Sequence, residues 1–144
     1  MPEVFPEKYF RIAEIVKQKF NVTSKKFKSR KEVVDNYAHK IFDLLNLCYS
    51  HLYGFTKLNE KQIHFYIKLY FSFFRLDTIS IVVDEKDDVV GLGIAMPSFT
   101  KALQKANGKL FPFGFLHLLN AKKNSKNVVF YLIGVHPNYL NKGV

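Results

Sequence analysis

The sequence predicts an α/β (α+β) domain, with helices packed on a mixed, mainly antiparallel sheet. Three observations predict it. Apolar residues recur at three- and four-residue steps from Val34 to Leu52 and again from Ile63 to Phe71, the period of a helix face. The period then changes to two short runs suited to strands, Thr78–Val83 and Val89–Met96, around the polar turn Asp84-Glu85-Lys86-Asp87-Asp88. A third apolar run, Val128-Val129-Phe130-Tyr131-Leu132-Ile133-Gly134, follows an excursion rich in turn residues. Helices followed by strands of this kind argue against a pure bundle or a sandwich.

Each element has a local reason. Residues 1–28 read as an N-terminal flank or linker, and 29–144 as the domain. Within the flank, Phe10, Ile12, Ala13, Ile15, Val16 and Phe20 suit a short amphipathic helix over Tyr9–Phe20. Asn21–Lys28 is polar and basic and reads as linker. Ser29-Arg30-Lys31-Glu32 has capping-box spacing, with Ser29 as N-cap and Glu32 reaching back. The face Val34, Tyr37, Ala38, Ile41, Leu45, Cys48, Leu52 then runs to Gly54, a natural stop. Asn59-Glu60-Lys61-Gln62 repeats the capping logic for a second helix, which ends before Asp77. The hairpin follows. Gly91 and Gly93 sit inside its second run and read as a bulge or thinned strand, not a dinucleotide fingerprint. Ser98 is placed to cap a helix through Ala106, and Phe113–Ala121 predicts another short helix. Asn127–Val135 is the last strand, expected beside Val89–Met96.

Composition narrows the function classes. The chain has 144 residues, 48% of them hydrophobic, so one domain with a substantial core is expected. Lys and Arg number 22 against 12 Asp and Glu, a formal net charge of +10, which suits polyanionic partners. The densest basic run is Lys25-Lys26-Phe27-Lys28-Ser29-Arg30-Lys31. It overlaps a helix N-terminus, where cations oppose the dipole, so a solvated face is the plainer account. Cys48 is the only cysteine, so no intrachain disulfide can form. It lies on the apolar helix face and reads as core. None of His39, His51, His64, His117 and His136 pair at metal-binding spacing, and no His/Cys/carboxylate cluster is visible in the sequence, so no metal is expected. His117, amid Phe115, Leu116, Leu118 and Leu119, reads as partly buried. There is no signal-peptide pattern and no run of membrane-spanning length, so a cytoplasmic location without a membrane partner is expected.

The last strand leads into Val135-His136-Pro137-Asn138-Tyr139-Leu140-Asn141-Lys142-Gly143-Val144. A strand entering a Gly-containing loop is a way to present backbone N–H groups to phosphate. With the two helices and the hairpin before it, this order resembles the GNAT superfamily of acyl-CoA-dependent N-acyltransferases, and the insertion-like segment from Ser98 to Phe115 resembles a bacterial subgroup of it. The resemblance covers about Ser29–Val144. It implies a partial GNAT-like fold whose C-terminal elements would follow Val144, and apolar surface left bare on the last strand. In that family the loop carries Arg/Gln-x-x-Gly-x-Gly/Ala. Here Leu140 stands at the Arg/Gln position, and Gly143 supplies the first required glycine.

The resemblance further implies a cofactor edge and a phosphate loop. Ile133 and Val135 would pair their backbone with the pantetheine amides of acetyl-CoA or another acyl-CoA. Asn141, Lys142, Gly143 and Val144 would hold the pyrophosphate. The co-substrate would be acetyl-CoA and the acceptor an amine; no catalytic acid or base is assigned. His136 flanks this strand and is the only histidine with a functional claim. Phe111-Pro112-Phe113-Gly114-Phe115 reads either as an acceptor-pocket wall or as a plug tying the excursion to the sheet. The alternative function is a non-catalytic basic module that uses Lys25–Lys31 on nucleic acid or an acidic partner, and a homo-oligomer is left open.

Overall fold

The computed structural model describes residues 6–70, 74–109, 111–125 and 127–143. In chain order, helix α1 is Glu7–Phe20, strand β1 is Thr23–Lys25, helix α2 is Arg30–Tyr49 and helix α3 is Glu60–Tyr70. A short 3-10 turn, Leu76–Thr78, leads into β2, Ile79–Val83, and the hairpin returns as β3, Val89–Pro97. Helices α4, Thr100–Lys105, and α5, Gly114–Asn124, precede β4, Val128–Val135, and a closing 3-10 turn, Pro137–Tyr139. The α+β class expected from the sequence is the observed one. The sheet is antiparallel throughout, in the order β1-β2-β3-β4.

The predicted caps form. Ser29 Oγ accepts the Glu32 N–H at 3.1 Å, and the Glu32 carboxylate takes the Lys28 N–H at 2.9 Å. Asn59 and Gln62 exchange side-chain-to-backbone bonds, both 3.0 Å, ahead of α3. The face read from the sequence for α2 largely holds: Tyr37, Ala38, Ile41 and Leu45 are buried, joined by Val33, Phe42 and Leu44. These pack with Ile63 and Ile67 of α3 against Ile79, Ile81, Val83, Val89, Leu92 and Ile94 of the hairpin. Thus α2 and α3 cover one face of the sheet, and the core lies between them.

Several expectations are corrected. The helix read through to Leu52 stops at Tyr49, and Leu52 is exposed. Gly54, at φ +78°, belongs to the turn that follows. The segment read as linker contains β1, whose Thr23, Ser24 and Lys25 pair with Val83, Val82 and Ile81, with Val22 buried beside them. Cross-strand pairing with β2 supplies what the polar local sequence does not. Ser98 does not cap α4. The N-cap is Phe99 without a side-chain bond, and the Ser98 hydroxyl turns to Thr100 Oγ1 at 3.3 Å. Phe71, assigned to the second helix, lies outside the described residues.

Helices α4 and α5 pack mainly on each other. Gly114 permits this, because a Cβ there would collide with the Lys109 carbonyl. Phe111, Phe113 and Phe115 are exposed, so this stretch is neither a plug into the sheet nor part of the cavity described below. His117 is exposed too, not partly buried, because its helix stands off the sheet.

Candidate functional site: the open edge of β4 and the loop after it

Among the described residues, strand β4 pairs with β3 along one side only. The register sets Gly91 opposite Val135, Leu92 opposite Gly134, Gly93 opposite Ile133 and Ile94 opposite Leu132. The His136 N–H donates to the Val90 carbonyl at 2.8 Å, which fixes the phase of the ladder. Hydrogen-bonded and non-bonded pairs alternate in an antiparallel ladder. Leu132 and Gly134 therefore bond toward β3, and Ile133 and Val135 turn their N–H and C=O groups to the outer edge. The two residues that the resemblance assigns to pantetheine are those the register turns outward.

Helix α2 reaches this edge. Tyr49 Oη donates to the Ile133 carbonyl at 2.8 Å, and Cys48 Sγ donates to the Val135 carbonyl at 3.2 Å. Helix α2 packs closely here: a Cβ on Gly134 would lie in contact with Cys48 Sγ at 3.4 Å and Leu45 Cδ2 at 3.8 Å. The two outward carbonyls are thus engaged, and among the described residues the outward N–H groups meet no acceptor. Burial pushes the Cys48 thiol up, partly offset by the Val135 backbone, so it is a poor thiolate at neutral pH.

The ladder slips between Ile94/Leu132 and Ala95/Phe130, leaving Tyr131 as the extra residue of a bulge. The bulge aims Tyr131 at the same face as Leu132. There both line an apolar cavity of about 250 Å³ between the sheet, α2 and α3. Phe42, Tyr49, Phe55, Tyr66, Tyr70 and Phe74 complete its aromatic wall, and Ile41 and Ile94 line it too. The Tyr131 ring lies 5.8 Å from that of Tyr70 and 6.2 Å from that of Phe74. A hydrogen bond with Tyr70, then burial, pushes the Tyr131 phenol up to about 12. It is neutral across the physiological range. Among the described residues lining this cavity there is no carboxylate and no histidine.

The loop beyond β4 is a series of tight turns. The Tyr139 N–H donates to the His136 carbonyl at 2.8 Å, and the Asn138 N–H to His136 Nδ1 at 3.2 Å. His136 is therefore a loop organiser whose Nδ1 is already an acceptor. Asn141 and Gly143 have φ of +60° and +81°, with Lys142 between them. Changes of backbone hand at adjacent residues can gather N–H groups into an anion-binding concavity.

Two residues of this loop pack against the rest of the domain. The φ of Gly143 favours glycine, and a Cβ there would also crowd Val16 Cγ2 of α1 at 3.1 Å. The Lys142 ammonium lies 5.1 Å from the Phe20 ring centroid and 5.4 Å from that of Tyr139. It is held by cation–π contacts beside the loop. Val144 lies outside the described residues. The sequence missed the cavity, because its tyrosines come from three elements far apart in the chain. It also missed a cluster of His39, Glu60 and His64, which the structure brings together on α2 and α3.

No family model, curated protein or solved structure matches the chain. Among the described residues, no helix is long and apolar enough to cross a membrane.

Proposed function

We propose that the chain belongs to an acyl-CoA-dependent N-acyltransferase of GNAT type, with acetyl-CoA or another acyl-CoA as donor and an amine as acceptor. The observation that carries this reading is the open edge of β4, where Ile133 and Val135 turn their N–H groups outward. Two N–H groups two residues apart on an unpaired strand can engage amide oxygens as a further strand would. Pantetheine carries such amides. At the end of the same strand, Asn141 and Gly143 would turn backbone N–H groups to the pyrophosphate, while the Lys142 N–H donates to the Tyr139 carbonyl at 3.3 Å.

The acceptor enters the tyrosine-lined cavity, which shares Tyr49 with the β4 edge. Transfer breaks the thioester C–S bond, forms a C–N bond and releases CoA thiol. The amine must attack as the neutral base. An apolar cavity disfavours the ammonium form and so lowers the barrier to deprotonation. The aromatic wall favours an acceptor with an apolar or aromatic body. No carboxylate or histidine of this cavity is assigned as a base.

The rival reading, a basic module for nucleic acid or an acidic partner, has less support. Lys25 pairs with Asp87 at 2.6 Å and is not part of a continuous free cationic run. Calorimetric titration with acetyl-CoA tests the acyltransferase reading. Ile133→Pro removes one outward N–H and leaves the ladder to β3 its bonds. It should weaken binding at least tenfold, about 1.4 kcal/mol. Gly143→Val should also weaken it severely, and His136→Ala less. Unchanged affinity in Ile133→Pro, or no saturable binding by the parent, would remove the reading.

A further inference from the structure

Glu60 and His64 lie one turn apart on α3, at the i, i+4 spacing that places two side chains on the same face. His39 comes from α2, twenty-one residues before Glu60, and faces them across the helix pair. His39 Nδ1 is 3.6 Å from Glu60 Oε2, and the two imidazole rings meet edge-on with centroids 5.2 Å apart. One ligand atom from each of the three residues falls within 4.8 Å of the others. The elements beneath are fixed. Asn59 and Gln62 cap α3 reciprocally at the turn that carries Glu60, and Ile63 of α3 is buried beside His64.

We propose that His39, Glu60 and His64 form a binding site for a divalent transition metal of the zinc type, which ties α3 to α2. The donor set decides the metal class. Two imidazoles and one carboxylate suit zinc and its neighbours, whereas magnesium and calcium prefer all-oxygen sites. Bond lengths near 2.0–2.2 Å require the three donors to close up by small rotations. All three side chains are exposed, so they can rotate without disturbing the core. Three protein ligands leave one coordination position for water or an incoming group. The site stands apart from the open edge of β4 and does not depend on the acyltransferase reading. It would act on the helix pair that walls the tyrosine cavity, holding α3 in place against α2. Cys48 plays no part, since its Sγ is bonded at the Val135 carbonyl.

Titration of the full chain with zinc chloride, by calorimetry and by thermal unfolding, tests the site. One equivalent should bind saturably and raise the unfolding temperature, and magnesium or calcium chloride should do neither. His39→Gln, His64→Gln and Glu60→Gln should each weaken zinc binding at least tenfold and cancel the thermal shift. His117→Gln, on α5, should leave both unchanged. Circular dichroism of each variant should match the parent, because the substituted positions are on the surface. A parent without saturable zinc binding would overturn the proposal. So would a loss of less than tenfold in any of the three variants, or zinc affinity retained when both His39 and His64 are replaced.

Discussion

The two edges of the sheet are built in opposite ways. The β1 edge is three residues long, Thr23-Ser24-Lys25, and ends on a lysine tied to Asp87. A very short strand with a charged residue is a standard way to close an edge against unwanted pairing. The β4 edge is eight residues long and apolar, and Phe130 and Ile133 are 74% and 63% exposed. Among the described residues, helix α2 covers only two of its carbonyls, those of Ile133 and Val135, and a long apolar edge attracts strands and extended ligands alike. Strands β2 and β3, between the two, bury Ile81, Leu92 and Ile94 almost completely. The sheet therefore has a short closed side, a packed middle and a long side that pairs with no further strand among the described residues. The function proposed above places the pantetheine arm on that third side.

The largest expected effect separates middle from edge. Ile81→Ala should cost about 2–5 kcal/mol in denaturant unfolding, because the side chain is fully buried. Phe130→Ala should change stability by no more than about 0.5 kcal/mol. A loss near that of Ile81→Ala would mean that the β4 edge is packed, which would end the comparison.

The next effect tests the ladder phase. Leu132→Pro deletes an N–H that bonds toward β3, so about 1–3 kcal/mol should be lost. Ile133→Pro deletes an outward N–H and should cost distinctly less. Equal losses would mean that the outer edge already carries a partner. A dye that reports bare apolar surface should bind the parent and be displaced by acetyl-CoA.

The smallest effect belongs to the closed edge. Lys25, and then Tyr37, hold the Asp87 carboxyl below its ordinary range, against a desolvation that acts the other way. A carboxylate lowered in the folded state adds stability above its unfolded value, near 4. That stability is lost as pH falls through the lower folded value. The Lys25 ammonium is raised, chiefly by Asp87, so on the alkaline side the contribution persists until pH climbs past the lysine range. The pair is partly exposed, so the whole effect should stay within about 1 kcal/mol. Asp87→Asn should flatten part of the acid limb of stability against pH. Arg75 holds Asp77 low in the same way, so some acid dependence should survive.

The packed middle and the last strand were legible in the sequence, and the β1 edge was not. Ser29 and Glu32 mark the start of α2, the i, i+4 apolar face gives its buried side, and the hairpin follows from two apolar runs around a polar turn. All are local patterns. Strand β1 has no such pattern, since Thr23-Ser24-Lys25 is polar and is a strand only because β2 lies beside it. Nor does sequence show where α2 ends, one turn before its apolar period does. At the site, Ile133 and Val135 fall on the outward phase of β4, which depends on the register with β3. Lys142 turns to aromatic rings because Phe20 of α1 lies across that end of the sheet, a long-range contact. His39 meets Glu60 and His64 only once α2 and α3 are side by side.

The most direct test of the account is an acetyl-CoA titration of the isotope-labelled chain, read residue by residue from its backbone amide resonances. The account predicts saturable shifts at Ile133, Val135 and Gly143, with the amides of Thr23–Lys25 on the opposite edge unmoved. Absence of saturable shifts, or shifts confined to residues away from β4 and its loop, would contradict it.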